Sequence, residues 1–256
     1  MAADQHKPDR RKSGPSGAVA QPPIAALLFD PHSRPALADI VALAQAEYGF
    51  AVTHQDEAAG LAELLRDGLT FDCHGLAPGQ ALRMGTPLQC LTLPAGFSVA
   101  DHALVTLVPG TSVAGAQQSL PVVRILAGLV IALGALPGLR AVAWLPARLA
   151  MPPAWFAEAV AAWLHGGPFP ALALTALDRT DAGFASRGLA YFTGQEFVWT
   201  GHGGTLCEAD ARGAVRLTDW LVAHGRIDTP CDVELTGFGT VRVAPDGADC
   251  LRVARV

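Results

Sequence analysis

VVRILAGLVIALGALPGLRAVAW, residues Val122–Trp144, is almost wholly apolar, and its reading decides what kind of protein this is. A membrane span needs about 20 consecutive apolar residues to cross about 30 Å of hydrocarbon. Arg124 and Arg140 leave only Ile125–Leu139 between them, and Pro137-Gly138 interrupts the run before its end. The stretch therefore predicts a buried helix over Ser112–Leu136 and a buried strand over Arg140–Pro146, with no membrane span. Ile125, Leu126, Leu129, Val130 and Leu133 are its expected core positions.

Upstream, Ile24–Phe29 (IAALLF) predicts a buried strand ended by Asp30-Pro31. Ser33 and Pro35 open a helix whose apolar positions Leu37, Ile40, Val41, Ala44 and Tyr48 keep helical spacing, with Gly49 beyond its end. Phe50–Thr53 restarts an extended segment, and Ala58–Arg66 predicts a short helix. Leu69–Cys73, Leu88–Leu93 and Ala103–Val108 predict further strands between turn residues.

Downstream, the opening grammar returns. A strand at Ala141–Leu145 precedes a helix opened by Pro152-Pro153, with Phe156, Ala159, Val160, Trp163 and Leu164 on one face. Gly166-Gly167 closes it, and Ala171–Leu177 predicts the next strand. Two similar strand–helix–strand halves, 23–139 and 140–256, follow from this pattern. Leu189–Phe192 and Phe197–Thr200 then predict a hairpin around Gly194-Gln195-Glu196. Thr205 and Glu208 carry the spacing of a capping box for a helix reaching His224, with Gly225 at its end. Asp232–Leu235, Thr240–Ala244 and Leu251–Ala254 complete the chain as short strands. The expected class is α+β, mixed sheets with packed helices, because the strands group in hairpins and do not alternate strictly with helices.

Half of the 256 residues are hydrophobic (51%) and only 16% are charged, so a large core is expected over 23–256. MAADQHKPDRRKSGPSGAVAQP, residues 1–22, differs from the rest. It reads as a disordered polar tail without the apolar core of a secretory signal. Taking its four basic and two acidic residues from totals of 18 and 23 leaves 14 arginines against 21 acids, a body of net charge −7. Such a body repels phosphate backbones, so nucleic acid is not an expected partner.

Both lysines, Lys7 and Lys12, lie in the tail. A lysine-free body excludes P-loop, pyridoxal and protein-kinase chemistry, each of which needs a lysine on phosphate or in a Schiff base. No cofactor is expected. The five cysteines are odd in number and lack CxxC spacing, which points to reduced thiols in the cytoplasm.

Around Arg187-Gly-Leu-Ala-Tyr-Phe-Thr-Gly-Gln-Glu196, the chain resembles a bacterial family known only as a domain of unknown function. Gly188, Leu189, Phe192 and Glu196 carry that resemblance, which would extend over about Ile24–Ala254. It implies an apolar strand ending in a Trp-containing turn, here Ala141–Pro146, and brings no activity, cofactor or catalytic residue.

Several residue groups are candidates for chemistry. Gly201-His202-Gly203-Gly204 leads into the helix expected at Thr205, and such a turn offers backbone N–H groups to an anion. The HGG sequence is also that of a lipase-type oxyanion loop, but the GxSxG elbow is absent; Gly96–Ala100 lacks its final glycine. Glu196 sits among Phe197, Val198 and Trp199, where a carboxylate could act as acid or base, or simply pair with Arg187. Asp72-Cys73-His74, with Cys90 and His102, is the densest group of metal-ligand types. Adjacent Cys-His is not a zinc spacing, and strand geometry sends Cys73 and His74 to opposite faces, so no metal is expected. The five tryptophans fall at core-compatible positions. Two functions remain. One is a non-catalytic module that binds a protein or small ligand, through Gly203, Gly204, Thr205 and Arg187. The other is a small-molecule hydrolase using His202 and Glu196.

Overall fold

The computed structural model describes residues 21–46, 48–113, 115–181, 183–201 and 207–256. They form an α+β architecture of two sheets with helices packed on them.

The first sheet has eight strands: β1 (Ala25–Phe29), β2 (Ala51–Asp56), β3 (Leu61–Arg66), β4 (Leu69–His74), β5 (Gln89–Cys90), β6 (Ala103–Pro109), β7 (Leu139–Trp144) and β8 (Leu149–Met151). Their order is β2-β3-β4-β6-β1-β7-β8-β5, antiparallel except where β5 joins β8. β1 lies central, with Leu27 opposite Val105 on one side and Val142 on the other. All five of its residues are buried because both faces of the sheet are covered. On one face pack α1 (Leu37–Gln45), α2 (Leu120–Leu133) and α3 (Pro153–Leu164), joining Leu27, Phe71, Leu107 and Trp144 in the main core. On the other, the 75–102 segment lays Leu82, Met84, Leu88 and Phe97 over Ala26, Leu28, Ala141 and Ala143.

The second sheet contains β9 (Ala176–Arg179), β10 (Gly183–Arg187), β11 (Glu196–Thr200), β12 (Cys231–Leu235), β13 (Gly239–Pro245) and β14 (Cys250–Arg255). Its order is β12-β13-β14-β11-β10-β9, with β11 and β14 parallel. Helix α6 (Glu208–His224) covers one face, packing Ala214, Leu217 and Leu221 on Phe197, Trp199, Val241 and Val253. Short helical turns α4 (Ala171–Leu174) and α5 (Ala190–Thr193) complete the fold.

The apolar run is core. Leu126, Leu129, Val130 and Leu133 are buried, while Ile125 is half-buried at the layer's edge. Its helix starts later than its composition suggests, at Leu120, because Pro121 suits only a first turn; a separate short helix occupies Thr111–Val113. Arg124 is half-buried, its guanidinium 4.9 Å from the Trp163 ring centre. Among the described residues, no helix is long and apolar enough to cross a membrane.

Three local expectations are corrected. The helix expected at Ala58–Arg66 is strand β3. Its Ala, Leu, Glu and Arg are good helix formers, but hydrogen bonding on both sides and burial of Ala62 and Leu64 override that preference. Asp67 (φ 49°) and Gly68 (φ 81°) form the two-residue turn that joins it to β4. Ala171–Leu177 divides into α4 and β9, since Pro170 sets the helical start and the Thr175 hydroxyl donates back to the Ala171 carbonyl at 2.6 Å. Leu189–Phe192 is not a strand; α5 replaces it within the β10–β11 connection.

The repeated grammar is not matched by a repeated topology. β1 and β7 are antiparallel neighbours in one sheet, whereas β2 is that sheet's edge and β9 belongs to the other sheet. The change of sheet falls between Met151 and Ala176.

Candidate functional site

The most heavily bonded polar residues lie where the two sheets meet. Glu196, at the start of β11, accepts hydrogen bonds from the Ser186 hydroxyl at 2.5 Å and the Gly188 N–H at 2.7 Å. Two more come from the Ala190 N–H at 3.0 Å and the Leu189 N–H at 3.2 Å. The carboxylate therefore caps α5, supplying acceptors to the N–H groups that a helix start leaves unpaired. Gly188 is required where it stands: φ is +87°, and a Cβ there would lie 2.7 Å from the Cα of Ala147 in the first sheet's β7–β8 turn. Leu189 enters the second sheet's core, and Phe192 packs against the first sheet's core, 5.0 Å from Phe169. Gly188, Leu189, Phe192 and Glu196 thus all serve this joint.

Arg187 is not the partner of Glu196. Its Nε and Nη2 donate to the two carboxylate oxygens of Asp178 at 2.8 and 2.9 Å. Nη1 donates to the Ala147 carbonyl at 2.6 Å and the Arg148 carbonyl at 3.3 Å, and Nη2 also reaches Gln89 Oε1 at 2.7 Å. One guanidinium thus joins β9 and β10 to the β7–β8 turn and β5. Its hydrogen bonds hold the Asp178 carboxyl below the usual carboxylate range, against the opposing effect of desolvation.

Beside this joint is a cleft of about 430 Å³. Ile24, Met84, Leu88, Leu145 and Pro146 form apolar walls, Pro22 and Pro23 stand at one side, and Thr86, Arg148 and Tyr191 contribute polar groups. Tyr191 is fixed: its hydroxyl donates to the Gln117 carbonyl at 2.5 Å, and its ring meets Trp144 edge-on. Burial raises its phenol well above the ordinary value. Arg148 is the unusual residue, with φ of +52° in the left-handed region that costs a side-chain-bearing residue about 1–2 kcal/mol. Its N–H donates to the Leu145 carbonyl at 3.0 Å, and its own carbonyl accepts from the Gln89 N–H at 2.9 Å. Its Nη2 donates to the Pro87 carbonyl at 3.2 Å. A strained residue held from so many directions marks a place where geometry has been specified, and such residues collect at functional sites.

The other described sequence candidates disperse. His202, Gly203, Gly204 and Thr205 lie outside the described residues. The proposed cap Thr205 is one of these four; at the described start of α6 the Cys207 N–H donates to Asp210 Oδ2 at 2.9 Å, and Glu208 pairs with Arg212 at 2.7 Å. Cys73 points into the main core, where burial pushes its thiol up to about 12, whereas Asp72 and His74 are half-buried on the opposite face. His102 stacks on Phe97 at 4.4 Å and binds the Ser98 carbonyl through Nδ1. Among the described residues, no three His, Cys, Asp or Glu side chains converge to hold a metal. Trp144, Trp163 and Trp199 are buried in the cores and Trp155 and Trp220 are packed against them.

The cleft could not be found from sequence because its walls come from four distant segments. One local signal existed: Ala147-Arg148 follows a strand and a proline, where a tight turn with a left-handed residue is expected. Compared with protein-family models, curated proteins and solved structures, the chain matches none.

Proposed function

We propose that this protein is a soluble cytoplasmic binding module without catalysis of its own, and that its ligand enters the cleft beside the sheet joint. The observation carrying this reading is the state of Glu196. Four hydrogen bonds from the chain occupy its carboxylate. A general acid or base must present a free lone pair or proton to the substrate, and Glu196 spends both oxygens on the Ser186 hydroxyl and the N–H groups of Gly188, Leu189 and Ala190. This weighs against the carboxylate half of the hydrolase reading.

The cleft has the character of a binding site: concave, mostly apolar, with a few fixed polar groups and a volume within the range of small-ligand pockets. The negative body charge favours a small ligand over nucleic acid. Free cysteines at all five positions suit a reducing compartment.

The test has two arms. Hydrolysis of short nitrophenyl esters by the wild type should equal that of a Glu196→Gln variant and of buffer. Thermal-shift screening of small apolar ligands should yield stabilisers whose effect is lost in Leu145→Glu, because a ligand bound only to the folded state raises its apparent stability. Saturable ester hydrolysis abolished by Glu196→Gln would overturn the proposal.

A further inference from the structure

The cleft's charge is one-sided. Among the described residues, Arg148 is its single charged lining residue, and no Asp or Glu lines it. Among the described residues, the Arg148 guanidinium has no carboxylate within ion-pair distance; the nearby Asp178 is engaged by Arg187 in a two-point pair. Among the described residues, the guanidinium uses Nη2 alone, on the Pro87 carbonyl. The same bond ties the guanidinium to the 84–88 segment, which supplies Met84, Thr86 and Leu88 to the cleft. The left-handed backbone, pinned by Leu145 and Gln89, sets where the side chain leaves the chain. A guanidinium is planar, always charged and weakly hydrated, so beside apolar walls it is suited to a flat anionic group.

We infer that the cleft takes an amphipathic monoanion: an apolar ring or chain seated against Ile24, Leu88, Leu145 and Pro146, with a carboxylate or sulfonate on Arg148. This rests on the binding-module reading and names the ligand class for its site. A dianionic or polyphosphate ligand is disfavoured, since one arginine neutralises one charge and the body carries no lysine to help.

Two fluorescent probes separate the parts. Anilinonaphthalene sulfonate carries the anion; phenylnaphthylamine has the same rings without it. Both are titrated into the full-length protein, into Arg148→Gln and into Leu145→Glu, with circular dichroism and melting confirming the native fold. Both probes should bind the wild type and lose binding in Leu145→Glu. Arg148→Gln should weaken the sulfonate about tenfold, as loss of a charge-assisted contact does, and change the neutral probe less than about twofold. Raising salt on the wild type alone should weaken the sulfonate selectively, which keeps the test intact if Arg148→Gln does not fold. If the neutral probe binds through the cleft but the sulfonate shows neither dependence, the anion assignment is wrong and the cleft remains. If neither probe binds, or Leu145→Glu leaves both unchanged, the binding-module reading itself fails.

Discussion

Arg187 and Asp178 form a two-point guanidinium–carboxylate pair, at 2.8 and 2.9 Å, between β10 and β9, and the same guanidinium holds the Ala147 carbonyl of the other sheet. Two sheets that share no strand are thus tied through one planar side chain.

That pair gives stability a defined acid dependence. The arginine's hydrogen bonds place the folded Asp178 carboxyl below its unfolded value of about 4. A depressed folded pKa stabilises the protein above the unfolded value, and the contribution is lost as pH falls through the lower folded value. Asp178→Asn should therefore melt below the wild type at neutral pH, with the gap closing in strong acid. A gap that stays constant across the acid limb would show that the charge is not the source. Arg187→Lys should behave nearly as badly at neutral pH, since an ammonium cannot make the two-point contact.

Glu196 should prove a stability residue. Glu196→Ala leaves the N–H groups of Gly188, Leu189 and Ala190 without their acceptor and should cost about 3 kcal/mol in urea unfolding. Glu196→Gln retains one acceptor oxygen and should cost less. Equal stability of wild type and alanine variant would contradict the capping role.

At Gly188, any side chain meets both a left-handed backbone and the Ala147 backbone. Gly188→Ala should cost more than about 2 kcal/mol and separate the unfolding of the two sheets, visible as a broadened calorimetric transition. A sharp, unshifted transition would show that the joint can relax around the methyl group.

Thiol reactivity should follow burial. Cys90 and Cys207 are exposed and should react with Ellman's reagent in the native protein. Cys73, whose thiol is pushed up to about 12 by burial, should stay protected until unfolding exposes it. Mass spectrometry of labelled peptides distinguishes them. Native labelling of Cys73 would mean that β4 opens readily.

Much of the fold was legible from local pattern. The helices Pro153–Leu164 and Glu208–His224 were expected almost to their ends, because helical spacing between prolines and glycines is a property of neighbouring residues. The strands Ala25–Phe29 and Leu139–Trp144 were legible for a related reason: an apolar run bounded by turn residues has few alternatives to burial. Leu61–Arg66 was misread because its residues favour a helix in isolation, and only strands on both sides make it a strand.

The site divides in the same way. Sequence singled out Arg187 and Glu196, since a charged residue among apolar neighbours needs a partner, but it joined them to each other. Their partners are Asp178, nine positions before Arg187, and a backbone turn that exists only once Gly188 has bent the chain. The cleft draws on residues 22–24, 84–88, 145–148 and 191, brought together by the order of strands in the first sheet and by the joint between sheets. Composition and periodicity act over a few residues and so determined the elements. Contacts across long separations depend on which elements pack together, so the placing of Arg148 over an apolar cleft was decided by the tertiary structure alone.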